Sequence, residues 1–568
     1  MKRYTFIFIC SSILFTLGII IFFPIYLSND LIFYYAIHPF NICKTYPIFW
    51  NNIKILFIVT YFFSSIIISN YVYRNIYKKE NKNSIPNNHE KIDLSNSNFN
   101  LYIGYDQNNN DIYIPEKSLY QNILITGTIG TGKTSSAMYP FTKQIIEHNH
   151  FNNSEKIGML ILDVKGNYHS EVYKFAKMYN RLDDIIVIEL DGKYKYNPLN
   201  KPNLKASVLA NRLKTILLLF SKNNTESYWL DKAEQILTEC IKLCRVYNDN
   251  YVTFIEIHKL ITSKDYYLQK IKILRNIFLA QEFDSEKNHD LLSSITFLEE
   301  EYWKMDERTL SILKSEITRI TNYFISDYRV SKTFNPNRDE ENFSGFSDLI
   351  NTGKIVVLNM NISEYRNLSK IIATYLKLDF QTEVLSRLSR KTSMRTVAFI
   401  CDEYHEYVTF NDADFFAQSR EAKCINIVST QSYSSLLNTL QDNTNLRVIL
   451  QSLVNKLWFR SDDLFTIEEI QKQIGKEEKE KISKTISENS NETSYNYLTN
   501  SFYSNKSNIS ESINQYFQSD FIYNTNFFTR ELQTFTCISF ISNGIDIIPS
   551  QKINLIPYFK ERKTYEKK

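Results

Sequence analysis

The feature that most constrains this chain is the stretch Gly127 to Gly132, which holds three of only 12 glycines in 568 residues. It continues into Lys133 and Thr134, giving Gly127-Thr-Ile-Gly130-Thr-Gly132-Lys133-Thr134, the pattern G-x-x-x-x-G-K-[ST]. The apolar run Gln121-Asn-Ile-Leu-Ile-Thr126 before it reads as a short buried strand, and the run from Ser135 to His148 after it reads as a helix. Strand, glycine-rich turn and helix in this order curl consecutive backbone N–H groups around phosphate oxygens, with the positive end of the helix dipole behind them. Lys133 then reaches the β- and γ-phosphates and Thr134 ligates Mg2+. Gly127, Thr128, Ile129, Gly130, Thr131, Gly132, Lys133, Thr134 and Ser135 are therefore the candidate nucleotide-binding residues, with ATP and Mg2+ as the expected ligands.

Such a loop needs a second carboxylate to hold the ion and polarise water. Two apolar runs end in acids. Met159-Leu-Ile-Leu-Asp163 supplies one, and Thr396-Val-Ala-Phe-Ile-Cys-Asp402-Glu403 supplies two. Only the second run offers both groups, so Asp402 is the candidate metal-holding residue beside Thr134, and Glu403 the candidate base on the attacking water. Asp163 is expected to shape its own loop. Downstream, the strand Cys424-Ile-Asn-Ile-Val-Ser-Thr430 leads to Gln431, a polar amide at the tip of a strand adjoining the carboxylate strand, placed to orient water; the alternative is an ordinary strand-end cap. Arg420 is the candidate arginine finger, acting in trans across a subunit interface, with Arg460 the second choice and a plain surface ion pair the alternative.

Helical periodicity fills much of the interval between the two acidic strands: Ala206 to Phe220, Trp229 to Val246, Tyr266 to Phe283, His289 to Trp303 and Thr309 to Phe324. Strand character resumes at Lys354-Ile-Val-Val-Leu-Asn-Met360. The fold expected is an α/β nucleotide-binding domain over 101–200 and 345–560, interrupted by an all-α insertion over 201–344. The run Lys481 to Gln515, rich in Ser, Asn and Tyr, reads as a flexible excursion, and Phe535 to Ile541 and Gly544 to Ile548 read as closing strands.

Before residue 80 the chain is of a different kind. Thr5 to Ser28 carries no charge and is long enough to cross a hydrocarbon core of roughly 30 Å. A second apolar run spans about Ile55 to Tyr73, between Lys54 and Arg74. Residues 1–79 are thus expected to form a membrane anchor with two spans, followed by a polar linker over 80–100. The first run is too long for a signal-peptide core, and no small-residue cleavage site follows it. Lys2 and Arg3 precede the first span, and Arg74, Lys78, Lys79 and Lys82 follow the second, which places both chain ends in the cytoplasm. Formal net charge is +4, from 66 Lys+Arg against 62 Asp+Glu, so charge alone names no partner. The seven cysteines are scattered with no CxxC pair, which fits a reducing compartment and no structural zinc.

The set resembles the type IV secretion system coupling proteins, the hexameric membrane ATPases of conjugative DNA transfer. The residues that carry the likeness are the two spans, the loop 127–134, Asp163-Val-Lys-Gly166, Tyr196-Asn-Pro-Leu199, Tyr228-Trp229, Asp402-Glu403, Arg420, Gln431-Ser432 and Ser461-Asp-Asp. Val164 and Asn167 depart from the family's D-P-K-G-E element. The resemblance implies a RecA-like motor in a six-membered homo-oligomeric ring with ATP between subunits and single-stranded DNA in a central channel. It further implies an inserted domain that receives the relaxase and relaxosome, contacts with inner-membrane components of the secretion system and with lipid, and a location in the cell membrane.

Two other readings compete. A chromosome-partitioning double-strand DNA translocase would share the motor but is expected to carry more spans and a C-terminal winged helix, whereas here Ile548 is followed by a short basic tail. A recruitment platform that feeds protein effectors to the channel would use the ATPase only secondarily.

Overall fold

The computed structural model describes residues 99–560 apart from 221–226, 281–284, 390–393, 490–493, 499–500 and 504–507, together with Ile48, Asn52, Ile55, Leu56 and Val59. The chain divides into two units, Met1–Leu94 and Ser95–Lys568. In the first unit the five described positions are helical, and Ile48, Ile55, Leu56 and Val59 are exposed. The rest of both predicted spans and nearly all of the linker lie outside the described residues. Among the described residues no helix is long and apolar enough to cross a membrane.

The strands of the second unit are β1 (Asn100–Tyr105), β2 (Asp111–Pro115), β3 (Ile123–Thr126), β4 (Gly158–Leu162), β5 (Ile185–Ile188), β6 (Ile355–Leu358), β7 (Val397–Cys401), β8 (Cys424–Thr430), β9 (Asn455–Trp458), β10 (Lys476–Asn489), β11 (Ser494–Asn496), β12 (Ser501–Tyr503), β13 (Asn508–Phe521), β14 (Thr536–Phe540) and β15 (Gln551–Asn554). Eleven of them form one sheet in the order β2-β1-β15-β14-β9-β3-β8-β7-β4-β6-β5. From β9 to β5 every neighbouring pair is parallel. The remaining flank is antiparallel. The fold is thus mixed α/β with a large parallel sheet.

Parallel strands are covered on both faces and so read as continuous apolar runs. β3, β4, β6 and β7 are buried at every position. Alternation along each strand then divides their side chains between two apolar layers: Leu124, Leu160, Leu162 and Phe399 in one, Ile123, Ile125, Met159, Ile161 and Ile400 in the other. Helices Tyr139–Glu147 and Tyr168–Met178 cover the second layer. The first layer is continuous with the helices that lie between β5 and β6, and no strand occurs among the described residues of that interval.

Besides the short Ser347–Thr352 just before β6, those helices are Ala206–Phe220, Ser227–Tyr247, Phe254–Thr262, Lys264–Ala280, Ser285–Thr296, Glu307–Ile325 and Tyr328–Phe334. Each predicted helical run falls on one of them, except that residues 281–283 of the run to Phe283 lie outside the described residues and the run to Trp303 ends in a π-type turn and a 3-10 turn after Thr296. Of the seven, Phe254–Thr262 and Tyr328–Phe334 were not predicted and are short; the same holds of Ser347–Thr352. The signal of the first two lay at the caps: Thr253 Oγ1 accepts from Glu256 N at 3.2 Å, and Asp327 Oδ1 accepts from Arg329 N at 2.8 Å.

Three other expectations are corrected. Within Lys481 to Gln515 the residues up to 489 and from 508 are no loose excursion: β10 and β13 pair without interruption from Lys476 opposite Phe521 to Asn489 opposite Asn508, while 490–493, 499–500 and 504–507 lie outside the described residues. The alternation that makes the ribbon, with Ile482, Ile486, Ile513 and Phe517 on one face, was hidden by its Ser and Asn content. Gly544 to Ile548 is a turn closed by a bridge from Ser542 to Ile547, where Asn543 Oδ1 accepts from Ile545 N and Asp546 N; the strand follows at Gln551–Asn554. The helix after the phosphate loop starts as a π-type turn over Thr134–Met138. Pro140 in the following turn lacks an N–H and crowds the carbonyl four residues back, which favours this wider entry.

Helix Asn367–Ser386 was also missed, because it is buried almost all round and shows no polar stripe. Inside it Lys377 Nζ donates to Asp412 Oδ1 and Oδ2 at 2.7 and 2.6 Å and to Tyr407 O at 2.6 Å, with both side chains fully buried. Lys377→Met strands the Asp412 charge, and we expect a loss of about 3 to 5 kcal/mol in the urea unfolding of the protein. Adding Asp412→Leu should recover part of it; an unmoved midpoint in the single variant would show that the pair does not hold the fold.

Candidate nucleotide site

β3 ends between β8 and β9, so the loop after Thr126 is pinned from both sides. Gly127 N donates to Thr430 O at 3.4 Å, Thr128 N donates to Arg460 O at 2.9 Å, and Thr131 Oγ1 closes on Thr128 O at 2.8 Å. Gly130 takes φ +80°, where a side chain is strained, yet a Cβ there would meet nothing within 4 Å. The turn, not packing, demands this glycine, and it leaves the concave side of the loop open. Lys133 is buried and reaches across the cradle, Nζ donating to Gly127 O at 2.5 Å and Thr128 O at 3.2 Å. Burial pulls its pKa down, while the Glu403 and Asp402 charges push it back up.

Register brings the acids to this loop. Thr126 stands opposite Thr430 and Cys401 opposite Val428, so β3, β8 and β7 end side by side. Thr134 Oγ1 donates to Asp402 Oδ2 at 3.0 Å, and Ser429 Oγ donates to Asp402 Oδ1. Glu403 follows in the left-handed region, φ +50° and ψ +48°, which costs a non-glycine residue on the order of 1 kcal/mol or more. Its N–H donates to Asp402 Oδ1 at 3.1 Å, and its Oε2 is buried without a hydrogen-bond partner. Burial, then the Asp402 charge, raise the Glu403 pKa; Lys133, Lys165 and the Gln431 amide oppose them.

The structure therefore draws Thr134, Asp402, Glu403 and Gln431 together. Asp163 lies beside them but is spent on its own loop, accepting from Lys165 N and Asn167 N at 3.1 Å each and from Tyr168 N at 3.2 Å. Arg460 meets the loop through its carbonyl. Arg420 does not join the group. It is exposed in the turn between helix Asp412–Gln418 and β8, at the end of that strand remote from Thr430.

Two neighbours escaped sequence reasoning. Ser429 was legible only as a small hydroxyl inside an otherwise buried strand. His405 packs with Nδ1 3.3 Å from Thr430 Oγ1 and 3.6 Å from Glu403 Oε2, and burial lowers its pKa against the pull of the Glu406 charge. Among the described residues no group of three or more His, Cys, Asp or Glu could hold a metal ion. One hydroxyl and one carboxylate suit Mg2+, which keeps several waters and takes its other ligands from phosphates. The open cradle, the Thr134–Asp402 pair and the orphaned Glu403 oxygen fit a nucleoside triphosphate with that ion.

The family model for the type IV secretion-system coupling protein DNA-binding domain matches residues 108–512. Among solved structures the chain is similar to the plasmid coupling protein TrwB in complex with the non-hydrolysable GTP analogue GDPNP, with 14% identity, 78% of this chain and 88% of that one covered, and a TM-score of 0.51. TrwB in complex with ADP and Mg2+ gives the same values. The unbound bacterial conjugative coupling protein TrwBdeltaN70 matches at 14% identity over 78% and 87% of the chains, with a TM-score of 0.50. At this identity the likeness shows the fold. No curated protein matches the sequence.

A carboxyl whose pKa is raised by folding lowers stability at pH above that raised value, and the cost fades as pH falls through it. Glu403→Gln is accordingly expected to raise the thermal midpoint at about pH 8, with the gap over wild type narrowing toward about pH 5. A gap of constant size across that range would show that Glu403 is not charged against its burial.

Proposed function

The chain belongs to the type IV secretion-system coupling proteins, and on that footing we propose that it is a membrane-anchored ATPase that drives DNA with its bound relaxase into a type IV secretion channel. The observation that carries the ATPase half is the meeting of Thr134, at the start of the helix after the glycine-rich loop, with Asp402, Glu403 and Gln431 at the ends of β7 and β8. In this reading Gly127 to Ser135 hold the phosphates, with Lys133 on the β- and γ-groups. Thr134 and Asp402 hold Mg2+, which when bound neutralises charge on the phosphate oxygens. Glu403 takes the proton of the attacking water through its unpartnered oxygen, and its raised pKa brings it nearer the range where a base works best. Gln431 orients that water.

Nucleotide and Mg2+ binding are supported by the TrwB complexes with GDPNP and with ADP and Mg2+. The DNA half is supported by the matched domain, described as DNA-binding. The remote position of Arg420 suits service to another subunit's nucleotide, as a six-membered ring with sites between subunits requires; Arg460 is the second candidate. Residues 201–344 would form the all-α inserted domain, facing the cytoplasm and receiving the relaxosome, between the two parts of the RecA-like domain at 101–200 and 345–560. The spans at about 5–28 and 55–73 would hold the ring in the cell membrane, against lipid and the inner-membrane secretion components, with both chain ends cytoplasmic. The helical, exposed Ile55, Leu56 and Val59 agree with a lipid-facing segment.

The test is ATP hydrolysis, with and without single-stranded DNA, alongside conjugative transfer by wild type, Lys133→Ala and Glu403→Gln. We expect DNA to stimulate the wild type, and Glu403→Gln to lose about 100-fold or more in hydrolysis while still binding ATP. Transfer should fail in both variants. Unchanged transfer would sink the motor, and DNA-independent hydrolysis with normal protein export would favour an effector-recruiting platform.

A further inference from the structure

Three aromatic residues at the rim of the phosphate loop have no part in the chemistry above. Phe535 takes φ +63°, a conformation rare for an aromatic residue, and its N–H donates to Thr131 O at 3.0 Å. Its ring covers Gly132, where an added Cβ would lie 2.4 Å from Phe535 Cδ1. After β15 the chain returns to the same place: Leu555 N donates to Phe535 O at 2.8 Å and Tyr558 N to Ser135 O at 2.9 Å. Lys133 and Thr134 are thus bracketed by backbone hydrogen bonds from the C-terminal segment.

The rings that follow face outward. Tyr558 is 41% and Phe559 60% exposed, with centroids 5.5 Å apart, and Phe559 stands nearly perpendicular to Phe535 at 6.2 Å. Folding gains little from aromatic surface left in water. Holding it there, beside a ligand loop and against a residue with a strained backbone, needs another reason.

Sheet order supplies a direction. Glu403 and Gln431 extend from β7 and β8 on one flank of β3, so the γ-phosphate end of a bound nucleotide faces that way. Phe535 precedes β14 and Tyr558 follows β15, both on the opposite flank. A nucleotide whose terminal phosphate meets Glu403 must send its nucleoside past Ser135 toward the aromatic rim.

We infer that this rim is the nucleobase seat of the site, with the base stacked on Phe559, Phe535 edge-on beneath it and Tyr558 alongside. The inference rests on the ATP-site reading above and adds how the nucleoside is held. Stacking uses the π-face that every base presents, so the seat favours nucleosides over bare phosphates without choosing strongly among bases.

The test is calorimetric titration of the full chain in detergent with ATP, GTP and inorganic tripolyphosphate, for wild type, Phe559→Ala and Phe559→Trp. Phe559 is exposed, so neither variant threatens the core. We expect Phe559→Ala to weaken ATP and GTP about tenfold and leave tripolyphosphate unchanged, with Phe559→Trp restoring both nucleotides. ATP binding unaffected by Phe559→Ala, or tripolyphosphate weakened as much as ATP, would overturn the seat and make the rings a brace for the loop. A wild type that binds neither ATP nor tripolyphosphate would instead overturn the phosphate-site reading, and the seat with it.

Discussion

Asp402 is the contact on which the rest of the site depends. One of its carboxylate oxygens takes the Thr134 hydroxyl, and the other takes the Ser429 hydroxyl and the Glu403 N–H. Three segments far apart in the chain, the start of the phosphate-loop helix and the ends of β7 and β8, thereby share one anchor. A carboxylate 1% exposed is tolerable only because charge-assisted hydrogen bonds replace its water. The arrangement is dictated by register: a slip of one residue between β7 and β8 would turn each side chain at the tip to the wrong face.

Strain is concentrated one residue further on. Glu403 combines a left-handed backbone, an unpartnered buried oxygen and a like charge next door. Such a residue persists only where its surroundings over-determine it. Here the following segment supplies the restraint. Tyr404 Oη donates to Asp412 Oδ2 at 2.5 Å, and Thr409 N donates to the same oxygen at 2.9 Å, so the chain leaving Glu403 is tied to the buried Lys377–Asp412 pair within a few residues. The least comfortable backbone in the site is fixed by its least exposed charges.

What was legible in the sequence divides along the same physical line. The phosphate loop could be read because glycine is scarce and its clustering is local. Asp402 and Glu403 could be read because an apolar strand does not end in two acids by accident, and the longer helices because their periodicity survives in any window. The ribbon β10–β13 was missed because its alternation is carried by residues that also compose loops. Ser429 and the aromatic rim were missed for another reason. Ser429 is defined by a partner across the sheet, and Phe535 and Tyr558 reach the loop only because β15 folds back on β14, more than four hundred residues after Thr131. Contacts of that range leave no local trace.

Helix Asn367–Ser386 shows why polar groups are kept where apolar ones would pack. A helix apolar on every side has many near-equivalent seatings. Lys377 and Asp379, two positions apart, point to opposite faces of it. Lys377 holds Asp412 behind the carboxylate strand, while Asp379 accepts from Arg212 Nη1 and Tyr196 Oη at 2.9 and 2.7 Å and pairs with Lys201 at 2.9 Å, all from the segment around the helices between β5 and β6. Rotating or sliding the helix would strand one buried charge or the other, and breaking such a pair costs several kcal/mol. The loop behind Glu403 and the helices after β5 are therefore joined by a part that fits in one position only.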